Sequence, residues 1–346
     1  MRALTARGEL GWAVSLLVLT VLALLPLLTH RDDILNFVFL VLLSVALAES
    51  WNILAGYAGQ VNLGHAAFFG LGALVTRTLW IRGTPILPAM AAGAVVAMAF
   101  SLLIGAAAFR LRGAYFAIGT LALGEILRTT VGNLFPEIST LSAASIAAYR
   151  LSHRYYLALG LATVSVAAVA ALASSRIGLG MQAIREDEEA AEASGVGALR
   201  IKLTALGVST GLAGLAGGLF AYYLISYYPS HPFGPQWTFD ALLMTFIGGV
   251  GTVLGPILGA ALYVFLKEYL AVRWVDFHLL IFGALFVLIV LLLPGGLVQA
   301  GARARRLLRR GEAARGRGGP TSLGPRPSPA DAPDREPHLL AGARRK

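Results

Sequence analysis

Residues 239–270 read FDALLMTFIGGVGTVLGPILGAALYVFLKEYL, and whether they cross a membrane once or turn within it decides the fold. The stretch is longer than the roughly 20 apolar residues that span a hydrocarbon core. Its middle, IGGVGTVLGPILG at 247–259, holds five glycines and a proline, residues that weaken or end a helix. Such backbone is tolerated at membrane depth only where protein or an aqueous cavity covers it. The stretch is therefore read as a short arm and a full span, broken near residues 249–251. Gly248, Gly249, Gly251 and Gly255 are its expected hinge and packing points, facing other helices.

Outward from this break the chain is apolar almost throughout. Hydrophobic residues make up 57%, charged residues 13%, and mean hydropathy is +0.73. Soluble domains carry about 25% charged residues. Further apolar runs fall at 10–28, 34–54, 62–80, 86–109, 115–134, 155–173, 203–224 and 277–293. The run at 10–28 follows Arg2 and Arg7, as a signal peptide does, but ends in THRDD without a small-residue cleavage pattern, so a retained helix is expected. The fold class is an all-α polytopic membrane protein of about ten transmembrane helices. Basic residues place Arg110, Arg112, residues 175–202 and both termini in the cytoplasm, with 135–153 and 226–237 on the periplasmic side. Without the split at 249–251 the chain crosses nine times and its basic tail lands outside.

The tail, 299–346, carries 12 Arg or Lys against four Asp or Glu, which is +8 of the chain's net +10. It is rich in Pro and Gly, has no apolar periodicity, and is expected to be disordered. Its basic cluster follows the last span directly, which points to anionic lipid and not to nucleic acid. The remainder, 1–298, is one transmembrane domain. With no cysteine in the chain, disulfides, thiolate catalysis and cysteine metal sites are excluded.

One polar segment interrupts the apolar spans. Residues 175–202 read SRIGLGMQAIREDEEAAEASGVGALRIK, where Arg185 precedes Glu186, Asp187, Glu188, Glu189 and Glu192. A turn between helices needs only a few residues. Strong helix formers predict a helix over 180–194 that stops at Gly195. Ala183, Ala190, Ala191 and Ala193 keep its girth small. Ile184 is suited to an apolar notch, and the acidic run to a basic partner surface. Composition alone favours a solvated, charge-laced surface helix.

Polar groups inside the apolar runs are the other signal. WNILAGYAGQVNLGHAAFFGLG at 51–72 sets Asn52, Gln60, Asn62 and His65 among five glycines. Glu49 and Glu125 are carboxyls within spans, each costing about 2.5–3.5 kcal/mol unless paired or wetted. Two readings stand for these six residues: interhelical hydrogen bonds that lock the bundle, or the lining of a substrate path. Glu125 has a third option, a pair with Arg128 or Arg77. His65 lacks a nucleophile or metal-ligand companion at motif spacing, so neither catalysis nor a cofactor or metal is expected.

Five pieces in order carry a resemblance: AESWNILAGYAGQVNLGHAAFFGLGAL at 48–74, LRGAYFAIGTLALGEILR at 111–128, GMQAIREDEEAAEASGV at 180–196, STGLAGLAGGLFA at 209–221 and GGVGTVLGPILGAAL at 248–262. Over residues 48–296 the chain resembles the LivM-type permease subunits of branched-chain amino acid ABC importers. The resemblance implies a subunit of the bacterial inner membrane that has no ATPase of its own. Its implied partners are a homologous LivH-type permease, two cytosolic ATP-binding cassette subunits and a periplasmic or lipid-anchored substrate-binding protein. It implies that 175–202 couples to the ATPases through Ile184, Arg185, Glu186, Asp187, Glu188, Glu189, Ala190, Ala191 and Gly195. Glu189-Ala190-Ala191 with Gly195 matches the first part of the EAA-x-x-x-G signature of importer membrane domains. Residues 136–156 depart from the glycine-rich segment usual there, which leaves another small solute, such as an amide, urea or a different amino acid, as the alternative. A self-sufficient channel or secondary transporter would carry an inverted repeat or a chain of intramembrane carboxylates, and neither is evident in the sequence.

Overall fold

The computed structural model describes residues 16–29, 31–140 and 151–273, and beyond them 283–284, 287–288, 291, 295–301 and 303. Most of the expected span at 277–293, most of the tail and residues 141–150 of the atypical segment lie outside the described residues.

Helix α1 is Leu16–Leu28. Helix α2 spans Asp32–Asn52 and runs on through a π-helical turn, Ile53–Tyr57. Next come α3, His65–Ile81, α4, Ile86–Ala108, and α5, Ala114–Leu134. After α6, Leu151–Ala173, two short polar helices follow, α7 (Arg176–Glu186) and α8 (Glu188–Ala193). The long α9, Ala198–Tyr223, leads to a 3-10 turn at His231–Phe233, then α10, Gln236–Gly248, and α11, Leu254–Arg273. Among the described helices, four stretches are long and apolar enough to cross a membrane: Asp32–Tyr57, Ile86–Ala108, Leu151–Ala173 and Ala198–Tyr223. The expected span at 62–80 begins instead at His65, because residues 58–64 leave the helix.

Helices α2 and α9 form the centre. In their most apolar windows 61% and 72% of residues are buried, against 28% for α4 and 33% for α6. Lipid tails offer no hydrophobic drive between helices, so close approach of small residues supplies the packing. Helix α9 meets α3 and α4 in this way. A Cβ on Gly217 would strike the carbonyl of Phe69, one on Gly72 the carbonyl of Gly214, and one on Gly214 would lie 2.9 Å from Ala94 Cα. Ser101 Oγ and Thr210 Oγ1, 2.7 Å apart, join α4 to α9. Arg77 of α3 is buried and donates to the carbonyls of Ala221 (3.3 Å), Leu224 (2.9 Å) and Ile225 (2.9 Å). It satisfies the open end of α9, and this use takes it away from Glu125.

The expected break is present. Helix α10 ends at Gly248, Gly249 and Gly251 take φ of +131° and +75°, and α11 starts at Leu254. At about 1.5 Å per residue the 13 residues of α10 reach roughly 20 Å, short of a core about 30 Å thick, whereas the 20 of α11 match it in length. The two arms pack closely, since a Cβ on Gly259 would meet the carbonyl of Met244 and one on Gly248 that of Gly255. On the far side of the bundle, Ser139–Thr140 pairs antiparallel with Ser226–Tyr227, joining the two loops expected to share the periplasmic face.

Candidate functional site

The polar segment forms two helices where one was expected. Asp187 is the reason. Its extended backbone (φ −157°, ψ 111°) ends α7, and its carboxylate accepts from Ala190 N at 3.0 Å as the N-cap of α8. Ser175 caps α7 likewise, accepting from Gly178 N at 3.1 Å. Helix α8 closes on Gly195, whose φ is +85°. Gly195 N donates to Glu192 O (2.9 Å) and Val196 N to Ala191 O (3.0 Å), the Schellman pattern that a left-handed glycine permits.

The residues expected to face a partner divide into two sets. Ile184 and Ala191, 3% and 6% exposed, pack with Ala198 against Ala183, Val196 and Ile201 as a small core of their own. Ile184 therefore fills a notch inside this chain, a correction to its expected role. Glu186, Ala190 and Glu192 are exposed. Helix α7 is anchored by Met181, which is buried among Ile53, Leu54, Tyr57, Phe109 and Leu206.

Charge ties the unit down at two points. Glu188 Oε2 lies 2.5 Å from Lys202 Nζ, with side-chain exposures of 23% and 3%. The Lys202 ammonium also lies 5.6 Å from the Phe109 ring centre. Glu189 pairs with Arg112 of the α4–α5 connection at 3.0 Å, but there both partners are exposed. These two glutamates are engaged within the chain, which corrects the expectation that the whole acidic run is free for docking. Nothing local in the sequence pointed to Lys202 or Arg112 as their partners.

Arg185 reaches furthest. Its guanidinium donates to the carbonyl of Gly56 in the π-helical turn. From α2, Asn52 holds the other break: its Nδ2 donates to Thr252 O at 3.0 Å and its Oδ1 accepts from Gly251 N at 2.9 Å.

Around the end of α2 the structure gathers four of the six intramembrane polar residues singled out above. Glu49, Asn52, Asn62 and His65 are all buried. Glu49 is fully buried, and among the described residues neither of its carboxyl oxygens has a hydrogen-bond partner. Asn62 Oδ1 accepts from Gly64 N at 2.9 Å, its carbonyl accepts from Trp51 Nε1 at 2.9 Å, and its Nδ2 has no partner among the described residues. His65 Nε2 lies 2.8 Å from Ser50 Oγ. The Ser50 hydroxyl also lies 2.7 Å from Leu47 O, so the buried pair ties α2 to the start of α3. Ser209 and Thr245, which sequence reasoning passed over, donate to the carbonyls of Ser50 (2.6 Å) and Ala48 (3.2 Å). Gln60 is only half-buried. Glu125 stands apart on the exposed face of α5, paired with Arg128 at 2.5 Å.

A family of branched-chain amino acid transport system permease components matches residues 33–290. The high-affinity branched-chain amino acid transport system permease protein LivM of Escherichia coli is 30% identical over 318 residues, 82% of this chain and 74% of that protein. The Salmonella typhimurium protein of the same name is 28% identical over 83% of this chain and 75% of its own length. A probable branched-chain amino acid transport permease protein LivM of Methanocaldococcus jannaschii is 26% identical over 37% of this chain and 41% of its own. No solved structure matches.

Proposed function

This chain belongs to the family of branched-chain amino acid transport permease components, and from that premise we propose that it is the membrane-spanning subunit of an ATP-binding cassette importer. Two cytosolic ATPases drive it, a homologous LivH-type permease shares the translocation path, and a periplasmic or lipid-anchored binding protein delivers a branched-chain amino acid. The observation that carries this reading is the α7–α8 unit, folded on its own small core between two long apolar helices. Its exposed residues Glu186, Ala190 and Glu192 offer a compact acidic face to a soluble partner.

The second permease covers α5. Glu125 and Arg128 are exposed in mid-helix, and each would cost about 2.5–3.5 kcal/mol against hydrocarbon. Protein or water must lie there. Glu49, Asn52, Gln60, Asn62 and His65 belong to the path or to the seam that positions it.

Proteoliposomes holding the assembled complex test the reading. ATP-driven uptake of leucine, isoleucine and valine is expected, and Glu49→Gln lowers uptake per assembled complex roughly tenfold, within the range of coupling energies between sites. Uptake that needs no ATP would make the chain a self-sufficient carrier. Uptake of urea or short amides in place of leucine would reassign the substrate. A loss that merely tracks assembly would make Glu49 structural.

Ten crossings with both termini in the cytoplasm complete the proposal. A periplasm-active reporter fused after Gln299 should be silent, and strong activity there would overturn both the ten-span count and the reading of 239–270 as a broken hairpin.

A further inference from the structure

Three parts of the chain, remote in sequence, converge at Gly56. The π-helical turn Ile53–Tyr57 ends α2, and the last carbonyls of a helix have no partner within it. One of them, Gly56 O, accepts from the Arg185 guanidinium of α7. The other broken segment lies against the same point. A Cβ on Gly56 would sit 2.7 Å from Gly251 N, and one on Gly251 would sit 2.9 Å from Gly56 O and 2.6 Å from Arg185 Nη1. The Arg185 shaft crosses Gly59, where φ is +71° and a Cβ would come within 3.0 Å of Arg185 Cγ. Asn52 clasps the far side through Gly251 N and Thr252 O. A cavity of about 450 Å³, bordered by Tyr57, Gln182 and Glu186, opens beside the contact. Arg185 thus bonds the polar helix to the first break and lies against Gly251 of the second, which Asn52 bonds to α2.

We propose that Arg185 is a positioning residue that makes α7, the 53–59 turn and the 249–253 turn move as one unit. A displacement of the polar unit is then delivered at once to the two places where transmembrane helices are interrupted. Elsewhere α7 is anchored by apolar packing such as Met181, which lacks the directionality of a hydrogen bond. A planar guanidinium bonded to a fixed carbonyl and seated against glycine backbone is directional. The inference rests on the importer reading, because it needs a partner that pushes on α7.

The test uses the complete importer complex in proteoliposomes with Arg185→Gln and Arg185→Lys. With Arg185→Gln the ATPases still co-purify and still hydrolyse ATP, while substrate moved per ATP falls roughly tenfold. Arg185→Lys keeps one charged donor and recovers part of the ratio. An unchanged ratio overturns the inference, and so does loss of the ATPases, which would place Arg185 in docking. Both outcomes leave the importer reading standing. That reading fails separately if the unaltered chain binds no ATPase. The cysteine-free chain permits a second measurement that needs no change at Arg185. Spin labels placed through Gln182→Cys and Val253→Cys should keep one separation in all nucleotide states, and a separation that changes during turnover would refute rigid coupling.

Discussion

Ala191→Trp is expected to abolish uptake while the chain still inserts and spans the membrane. Ala191 is 6% exposed and packs against Ile184 and Ala198, with Ala183, Val196 and Ile201 as the apolar neighbours around them among the described residues. Overpacking a well-formed core costs about 1–3 kcal/mol, and so small a core has no second layer to absorb an indole. The unit therefore opens, taking with it the Asp187 cap and the turn at Gly195. The neighbouring position separates folding from docking. Ala190 is exposed, so Ala190→Trp leaves the core alone and obstructs only the face offered to a partner. In inside-out vesicles, limited proteolysis at 175–202 should be accelerated by Ala191→Trp and unchanged by Ala190→Trp, with ATPase co-purification lost in both. Normal uptake by Ala191→Trp would return the segment to a solvated surface helix and remove the main support for an importer.

Glu188→Lys is the second large effect, and its neighbour shows why. The Glu188–Lys202 pair joins a 3% exposed ammonium to a 23% exposed carboxylate at 2.5 Å. Removing one partner of a buried pair costs about 3–5 kcal/mol, because the other charge is left without compensation. Part exposure of Glu188 sets the expectation at the low end, about 3 kcal/mol. Reversal adds a second ammonium beside the first. Glu189→Lys breaks only an exposed pair with Arg112, worth about 0.2–1 kcal/mol and screened by salt. Thermal unfolding of the purified protein should fall sharply for Glu188→Lys and hardly at all for Glu189→Lys. The exchange Glu188→Lys/Lys202→Glu should recover part of the loss, a coupling that a double-mutant cycle isolates. Equal effects of the two single changes, or no recovery in the exchange, would show that the Lys202 contact does not hold the loop.

Much of this architecture was legible in the residues themselves. Composition placed the chain among helical membrane proteins, because no soluble core accounts for so few charges. Five glycines and a proline located the α10–α11 break, and Gly195 announced the stop of α8. Both are consequences of backbone freedom, which a residue expresses almost regardless of its surroundings. Asp187 was within reach of the same reasoning, since a carboxylate ahead of a helix-forming run is a preferred cap, yet its place in a row of acids hid the kink it makes.

The destinations of the side chains were not legible. Glu188 and Glu189 are adjacent and chemically alike, and only packing decides that one meets buried Lys202 and the other exposed Arg112. Ile184 and Ala191 suited a partner's groove as well as each other until the turn at Asp187 folded them together. Arg185 reaches a carbonyl 129 residues away, at a point that exists only because two interrupted helices meet there. Backbone preference acts over a few residues, so the sequence by itself determined where helices break. Which groups those breaks bring into contact depends on how whole helices pack, and that only the tertiary structure decided.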